Sequence, residues 1–205
     1  MGVAEDKAHM RKEVLRRRNA MAADERLCKS REICDLVFAE VEAGFDGIAG
    51  KPAMVALFSS FGSEVELSPL TEALAGAGYR ICFPAMVGDA GAEKPCMRFV
   101  AVPAEVALAR DAEFLAHPSR SVSEAHLLAA GFRFVEPSEI DFAVVPLVAF
   151  DAEGGRLGYG GGNYDGFLGG MALGSKAVGV AFDEQRVERV PREPHDLPLG
   201  KIISR

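Results

Sequence analysis

Apolar positions near the amino terminus recur at helical spacing, and further along the chain they gather into short continuous runs. Residues 5–21 put Met10, Val14 and Met21 on one face and Arg11, Arg16, Arg17 and Arg18 elsewhere, which predicts an amphipathic helix. Residues 24–43 predict a second helix. Asp24 stands at a capping position, Leu27, Ile33, Leu36, Val37 and Val41 form the stripe, and Gly44, Gly47, Gly50 and Pro52 end it. The period then changes. Residues 53–58 form an apolar run of the kind a parallel strand buried on both faces shows, and a polar turn follows over 59–64. A helix over 68–77 is closed by Gly76 and Gly78, and strands are expected over 79–85 and 97–102. The stretch 103–138 carries short helical patterns at 104–109 and 123–129 and is otherwise open. The strongest strand pattern covers 142–150. Pro146 inside it has no ladder donor, so the strand should end or bend there. A helix over 164–171, a buried strand over 177–182 and a Pro- and charge-rich tail running to 201–205 complete the pattern.

Strands alternating with helices predict an α/β fold with a mainly parallel sheet, here as a single domain over 1–205. Ligands of such sheets collect at the carboxyl ends of the strands, where the 59–64 turn and the glycine-rich segment after residue 150 both fall.

That segment carries the chemistry. Arg156, Leu157, Gly158, Tyr159, Gly160, Gly161, Gly162, Asn163, Tyr164 and Asp165 follow one another. Glycine backbone can turn left-handed and approach a ligand closely, and its successive N–H groups form a concavity suited to a phosphate. Arg156 adds a planar charged fork, and Asp165 can hold a hard cation beside the phosphates. The run matches neither the P-loop nor the dinucleotide fingerprint, whose third glycine would stand at Asn163. Plainer readings stay open: a glycine hairpin, Asp165 as a helix cap, Arg156 paired with Asp151 or Glu153, Met97 as core, Glu64 as a cap, and Lys7 with Arg11 as a solvated face.

Composition narrows the partners. A net charge of −7 argues against a general nucleic-acid binder, so an anionic small molecule would need a local basic pocket. No apolar run reaches membrane-spanning length, and no secretory signal is visible. Cys28, Cys34, Cys82 and Cys96 form no Cys-x-x-Cys pair, and Cys82 lies in an apolar run. The expectation is a cytoplasmic protein with reduced thiols, a monomer or small homo-oligomer, with small-molecule partners and neither nucleic-acid nor membrane partners.

The ordered motifs resemble those of the 5-formyltetrahydrofolate cyclo-ligase family. They run from Lys7 and Arg11 through Glu64-Val65-Glu66-Leu67, Met97-Arg98-Phe99 and Val135-Glu136-Pro137. They continue through Pro146 to Gly154, the 156–165 loop and Phe182 to Gln185, and close on His195-Asp196. The resemblance implies a three-layer α/β/α fold related to the ribose-phosphate isomerase and CoA-transferase group. It also implies ATP- and magnesium-dependent closure of 5-formyltetrahydrofolate to 5,10-methenyltetrahydrofolate with release of ADP and phosphate. Carried over residue by residue, Lys7, Arg11 and residues 156–164 contact ATP, with Arg156 and Asp165 central to turnover. Asp165 and Asp196 hold Mg2+. Glu64, Met97, Asn163 and Tyr164 contact the folate. The chain departs from the family pattern at Asn163, where a tyrosine is usual, at Leu67, where threonine is usual, and at Gly200, where an acidic residue often stands. Two other functions are kept in view: a folate- or nucleotide-binding paralogue without turnover, and an ATP-dependent enzyme acting on a different pterin or amide.

Overall fold

The computed structural model describes residues 2–45, 52–88, 94–193 and 196–205; Gly47, Gly50 and His195 lie outside them. The chain opens with two long helices, α1 (Val3–Ala20) and α2 (Ala23–Phe45). Strand β1 (Met54–Ala56), helix α3 (Ser68–Gly76) and strands β2 (Arg80–Val87) and β3 (Cys96–Val102) follow. Short elements come next: α4 (Ala104–Ala109), α5 (Glu113–Ala116), β4 (Ser121–Val122), α6 (Glu124–Ala129) and β5 (Arg133–Val135). The last third holds β6 (Phe142–Pro146), β7 (Ala149–Phe150), β8 (Arg156–Leu157), α7 (Asn163–Gly169), β9 (Lys176–Ala181) and β10 (Lys201–Ser204).

The main sheet runs β10-β9-β6-β1-β2-β3-β5, with β4 pairing β2. The pairings from β10 through to β2 are parallel, and β3 and β5 add an antiparallel edge. The expected α/β fold with a mainly parallel sheet is therefore present. Its centre explains the continuous apolar runs: Phe142, Ala143, Val144 and Val145 of β6 are each at most 1% exposed. Alternate side chains serve opposite faces. Phe142 and Val144 join α2, α3 and the short helices in one core, while Ala143 and Val145 join Phe167 of α7 in another. The two helical layers are unequal. On the second face α7 is the main helix, and irregular chain covers the rest.

Three expectations need correction. The run 142–150 is two strands: β6 ends at Pro146, and β7 leaves the sheet to form a separate antiparallel hairpin with β8. Pro146 ends the strand for the stated reason, its missing donor. Arg18, expected on an outer face of the first helix, is only 3% exposed. Leu27, assigned to the α2 stripe, is 51% exposed, and the stripe starts at Ile33. Strands β4, β5, β8 and β10 were not expected. Cys82 is fully buried in β2 as a small apolar side chain, and all four cysteines are free thiols. Among the described residues no helix is long and apolar enough to cross a membrane.

Candidate active site

The site is built where β6 stops. Pro146 forms part of the wall of a cavity of about 400 Å3, together with Lys7 and Arg11 of α1, residues 156–165, Glu193 and Asp196. The turn between β7 and β8 is fixed by Asp151, which is 3% exposed. Its carboxylate accepts from the backbone N–H groups of Glu153, Gly155 and Val190 and from Arg192. Burial pushes the Asp151 carboxyl up, but those backbone donors and the Arg192 charge outweigh it and hold the group below its ordinary range. The basic partner of Asp151 and Glu153 is thus Arg192 rather than Arg156.

Beyond β8 the chain becomes the glycine loop. Gly160 (φ 100°) and Gly162 (φ 69°) both adopt left-handed backbone, which glycine takes without strain. Gly162 precedes α7 and places Asp165 in that helix's first turn. A side chain at Gly160 would press against the Arg11 guanidinium at 3.3 Å. Arg11 in turn donates from Nε to the Gly158 carbonyl over 2.7 Å.

Two carboxylate–cation pairs face this cavity. Arg156 donates from Nη2 to Oδ1 of Asp165 at 2.7 Å, and its other terminal nitrogen donates to the Leu197 carbonyl. Lys7 donates from Nζ to Asp196 at 2.5 Å and to Glu193 at 2.8 Å. Burial works to lower the Lys7 pKa, and the bonds to Asp196 and Glu193 more than reverse it, so the amine is held firmly charged. Every ATP- and metal-assigned residue therefore lines one pocket.

The folate-assigned residues are divided: Tyr164 lines this same cavity, Asn163 also borders a second one, Met97 lies only on the second, and Glu64 lines neither. Met97 lines this second cavity, of about 360 Å3, with Phe99, Val135, Pro137 and Phe167. Gly162 and Asn163 belong to the walls of both cavities, so the glycine loop is the partition between them. Glu64 closes the turn after β1 by accepting from the Phe61 N–H at 3.1 Å and is hydrogen-bonded to Tyr159. Burial raises its pKa, partly opposed by the Phe61 N–H, the Arg18 charge and the Tyr159 hydroxyl. Tyr164 packs edge-on to Phe167 at 6.1 Å, and burial drives its phenol far above the ordinary value.

Two participants were missed in the sequence. Glu193 shares Lys7 with Asp196. Arg18, buried beneath Tyr159, continues the Lys7, Arg11, Val14 row along one face of α1. The spacing of four, three and four residues was a readable signal for Arg18. Nothing local marks Glu193. Among the described residues no group of three or more His, Cys, Asp or Glu is arranged to hold a metal. The set fits magnesium nonetheless, because that ion takes one or two carboxylates and completes its shell with phosphate oxygens and water.

A family model for the 5-formyltetrahydrofolate cyclo-ligase family matches residues 3–205. The 5-formyltetrahydrofolate cyclo-ligase of Escherichia coli (strain K12) is 32% identical over 151 residues, spanning 73% of this chain and 76% of that protein. The protein of the same name from Haemophilus influenzae is 46% identical over 67 residues, 32% of this chain and 36% of its own. Among solved structures, a 5,10-methenyltetrahydrofolate synthetase from Mycoplasma pneumoniae aligns with a TM-score of 0.69 at 23% identity, covering 97% of this chain and 98% of that one. One from Aquifex aeolicus aligns at 0.60 and 26% identity, covering 97% and 89%.

Proposed function

The chain belongs to the 5-formyltetrahydrofolate cyclo-ligase family and is a cyclo-ligase, and we propose that it closes 5-formyltetrahydrofolate to 5,10-methenyltetrahydrofolate with ATP and Mg2+, releasing ADP and phosphate. The observation that carries this reading is the partition: one glycine loop forms a wall of both a cavity that gathers Lys7, Arg11 and Arg156 with three carboxylates and a second cavity with a largely apolar lining. A nucleotide on one side and a pterin on the other would meet across Gly162 and Asn163. The match from residue 3 to 205 and the continuous main sheet also support a single domain over the chain.

An amide oxygen is a poor leaving group, so ring closure needs activation. The formyl oxygen attacks the γ-phosphorus of ATP, an O–P bond forms, and the bond to ADP breaks. Nitrogen 10 of the folate then attacks the activated carbon and loses its proton, and phosphate departs with the former formyl oxygen. Phosphoryl transfer asks the protein mainly for placement and charge stabilisation. Lys7, Arg11 and Arg156 supply the cationic side chains that would hold the phosphates. Asp165 and Asp196 would hold the magnesium, which when bound neutralises charge on phosphate oxygens. Those carboxylates pair with Arg156 and Lys7, so each of these two cations has a tethered anion beside it where a phosphate would bind. By the family resemblance Glu64 would offer a carboxylate to the pterin, Asn163 lines the shared wall, Tyr164 lines the first cavity, and Met97 gives the ring an apolar surface.

The test mixes purified protein with 5-formyltetrahydrofolate and magnesium-ATP and follows the near-ultraviolet absorbance of the methenyl product. Product requiring both ATP and metal supports the reading. Binding of both ligands without product would favour the non-catalytic paralogue, and turnover only of a different amide would favour the altered-substrate enzyme.

A further inference from the structure

Arg18 is buried at 3% exposure, yet no step of the proposed reaction uses it. Its guanidinium bridges two loops that also meet each other directly. Nε donates to the Ser63 hydroxyl at 2.9 Å, in the turn after β1, and Nη2 donates to the Tyr159 hydroxyl at 2.7 Å, in the glycine loop. The Ser63 hydroxyl in turn donates a hydrogen bond to Asn19 Oδ1 at 2.5 Å, which ties that turn a second time to α1. Tyr159 also hydrogen-bonds Glu64 and lies 5.9 Å, ring to ring, from Phe61. The connection therefore runs from α1 through Tyr159, on the nucleotide cavity, to Glu64.

A buried cation whose hydrogen-bond partners are neutral hydroxyls is expensive to keep. Among the described residues no ion pair joins Arg18, and both partners are hydroxyls. Without Arg18, Tyr159 would keep only Glu64 and the Phe61 ring as side-chain partners, on a backbone flanked by Gly158 and a left-handed Gly160 and with its side chain half in solvent. A fork with two separated donors can hold two acceptors at once, which a lysine cannot.

We infer that Arg18 is a positioning residue that couples nucleotide to folate, holding Tyr159, on the nucleotide cavity, and the turn of the folate-assigned Glu64 in one arrangement, so that a ligand ordering either one pre-orders the other. This rests on the nucleotide and folate assignments above. The ordering that the first ligand imposes on the glycine loop is then not required again for the second, and the coupling is reciprocal.

The experiment is calorimetric and needs no turnover. The Kd of 5-formyltetrahydrofolate is measured with and without a non-hydrolysable ATP analogue and magnesium, and the analogue's Kd is measured with and without folate. In the parent protein each ligand should tighten the other by the same factor, on the order of fivefold or more. Arg18→Gln and Tyr159→Phe should each collapse that factor towards unity, and the double variant should lose nothing further. Arg18→Lys should also fail to restore it, because the charge returns without the fork. Tyr159→Phe removes one hydroxyl from a half-exposed ring and keeps the test open if Arg18→Gln does not fold. Single-variant factors equal to the parent's, or full rescue by Arg18→Lys, would overturn the inference. So would a parent that binds both ligands independently, with the folate and nucleotide assignments left standing. A parent that binds neither ligand removes those assignments, and this inference with them.

Discussion

Nη2 of Arg156 lies 2.7 Å from Oδ1 of Asp165, so the principal cation of the glycine loop and its candidate metal ligand neutralise each other. Arg156 has only 6% of its side chain exposed, against 28% for Asp165. Asp165→Ala should therefore have two separable effects. Loss of the metal carboxylate should lower kcat by about a hundredfold or more and flatten its dependence on magnesium concentration. Stripping the buried guanidinium of its partner should cost about 1–3 kcal/mol, visible by urea denaturation. Parent-like rates at every magnesium concentration would remove the metal assignment.

Arg156→Ala acts on the other member. Among the described residues the two cavities share Gly162 and Asn163 of the glycine loop, and Arg156 lines the one proposed for the nucleotide. ATP affinity should fall roughly tenfold to a hundredfold, the loss of a charge-assisted contact, while folate affinity changes far less. Titrating each ligand alone measures this directly, and the reverse pattern would refute the division of the pocket.

The strand and helix skeleton and the glycine loop were legible because they are local. The apolar run of β6, the donorless Pro146 and the left-handed glycines each announce themselves within a few residues. What closes the site is not local. Lys7 meets Asp196 across 189 positions, and no periodicity relates them; the family resemblance, not the spacing, brought both to one site. Arg18 read as one more surface cation because a sequence shows charge and not burial. The β7–β8 hairpin was hidden because its first strand continues the hydrophobic run of β6 without a polar break.

Asn163 stands on the wall shared by the two cavities and is exposed, so a larger ring there has room. Asn163→Tyr should preserve folate binding or tighten it by up to about tenfold through stacking. Fluorescence titration with 5-formyltetrahydrofolate checks this. A marked loss would mean that the amide itself takes part in recognition.

Glu64 sets a pH signature. Burial raises its pKa, with the Phe61 N–H, Arg18 and Tyr159 only partly opposing. A carboxyl with a raised folded-state pKa favours folding while protonated. Its contribution is full below the ordinary glutamate range and is lost as pH climbs through the raised value. Glu64→Gln removes that loss. Its stability relative to the parent should rise with pH across this window, measured by urea denaturation at several pH values, while folate affinity falls about tenfold with the missing charged acceptor. A stability difference independent of pH would show that Glu64 titrates normally.

Gly154 holds the tail that carries Asp196. Its φ is 76°, and an added Cβ would overlap the Leu199 carbonyl oxygen, while its own carbonyl accepts from the Leu199 N–H at 2.9 Å. Gly154→Ala is strained both by its backbone conformation and by this collision, so the tail must shift. The expected cost is about 1–3 kcal/mol, or several degrees in Tm for a chain of this size. Because residues 196–199 move with Leu199, magnesium-ATP affinity should fall as well, although Gly154 touches neither cavity. Calorimetric titration of magnesium with the ATP analogue, run beside thermal melts, separates the two effects. A destabilised variant with parent-like nucleotide affinity would mean that Lys7 and Glu193 hold Asp196 in place independently of Gly154.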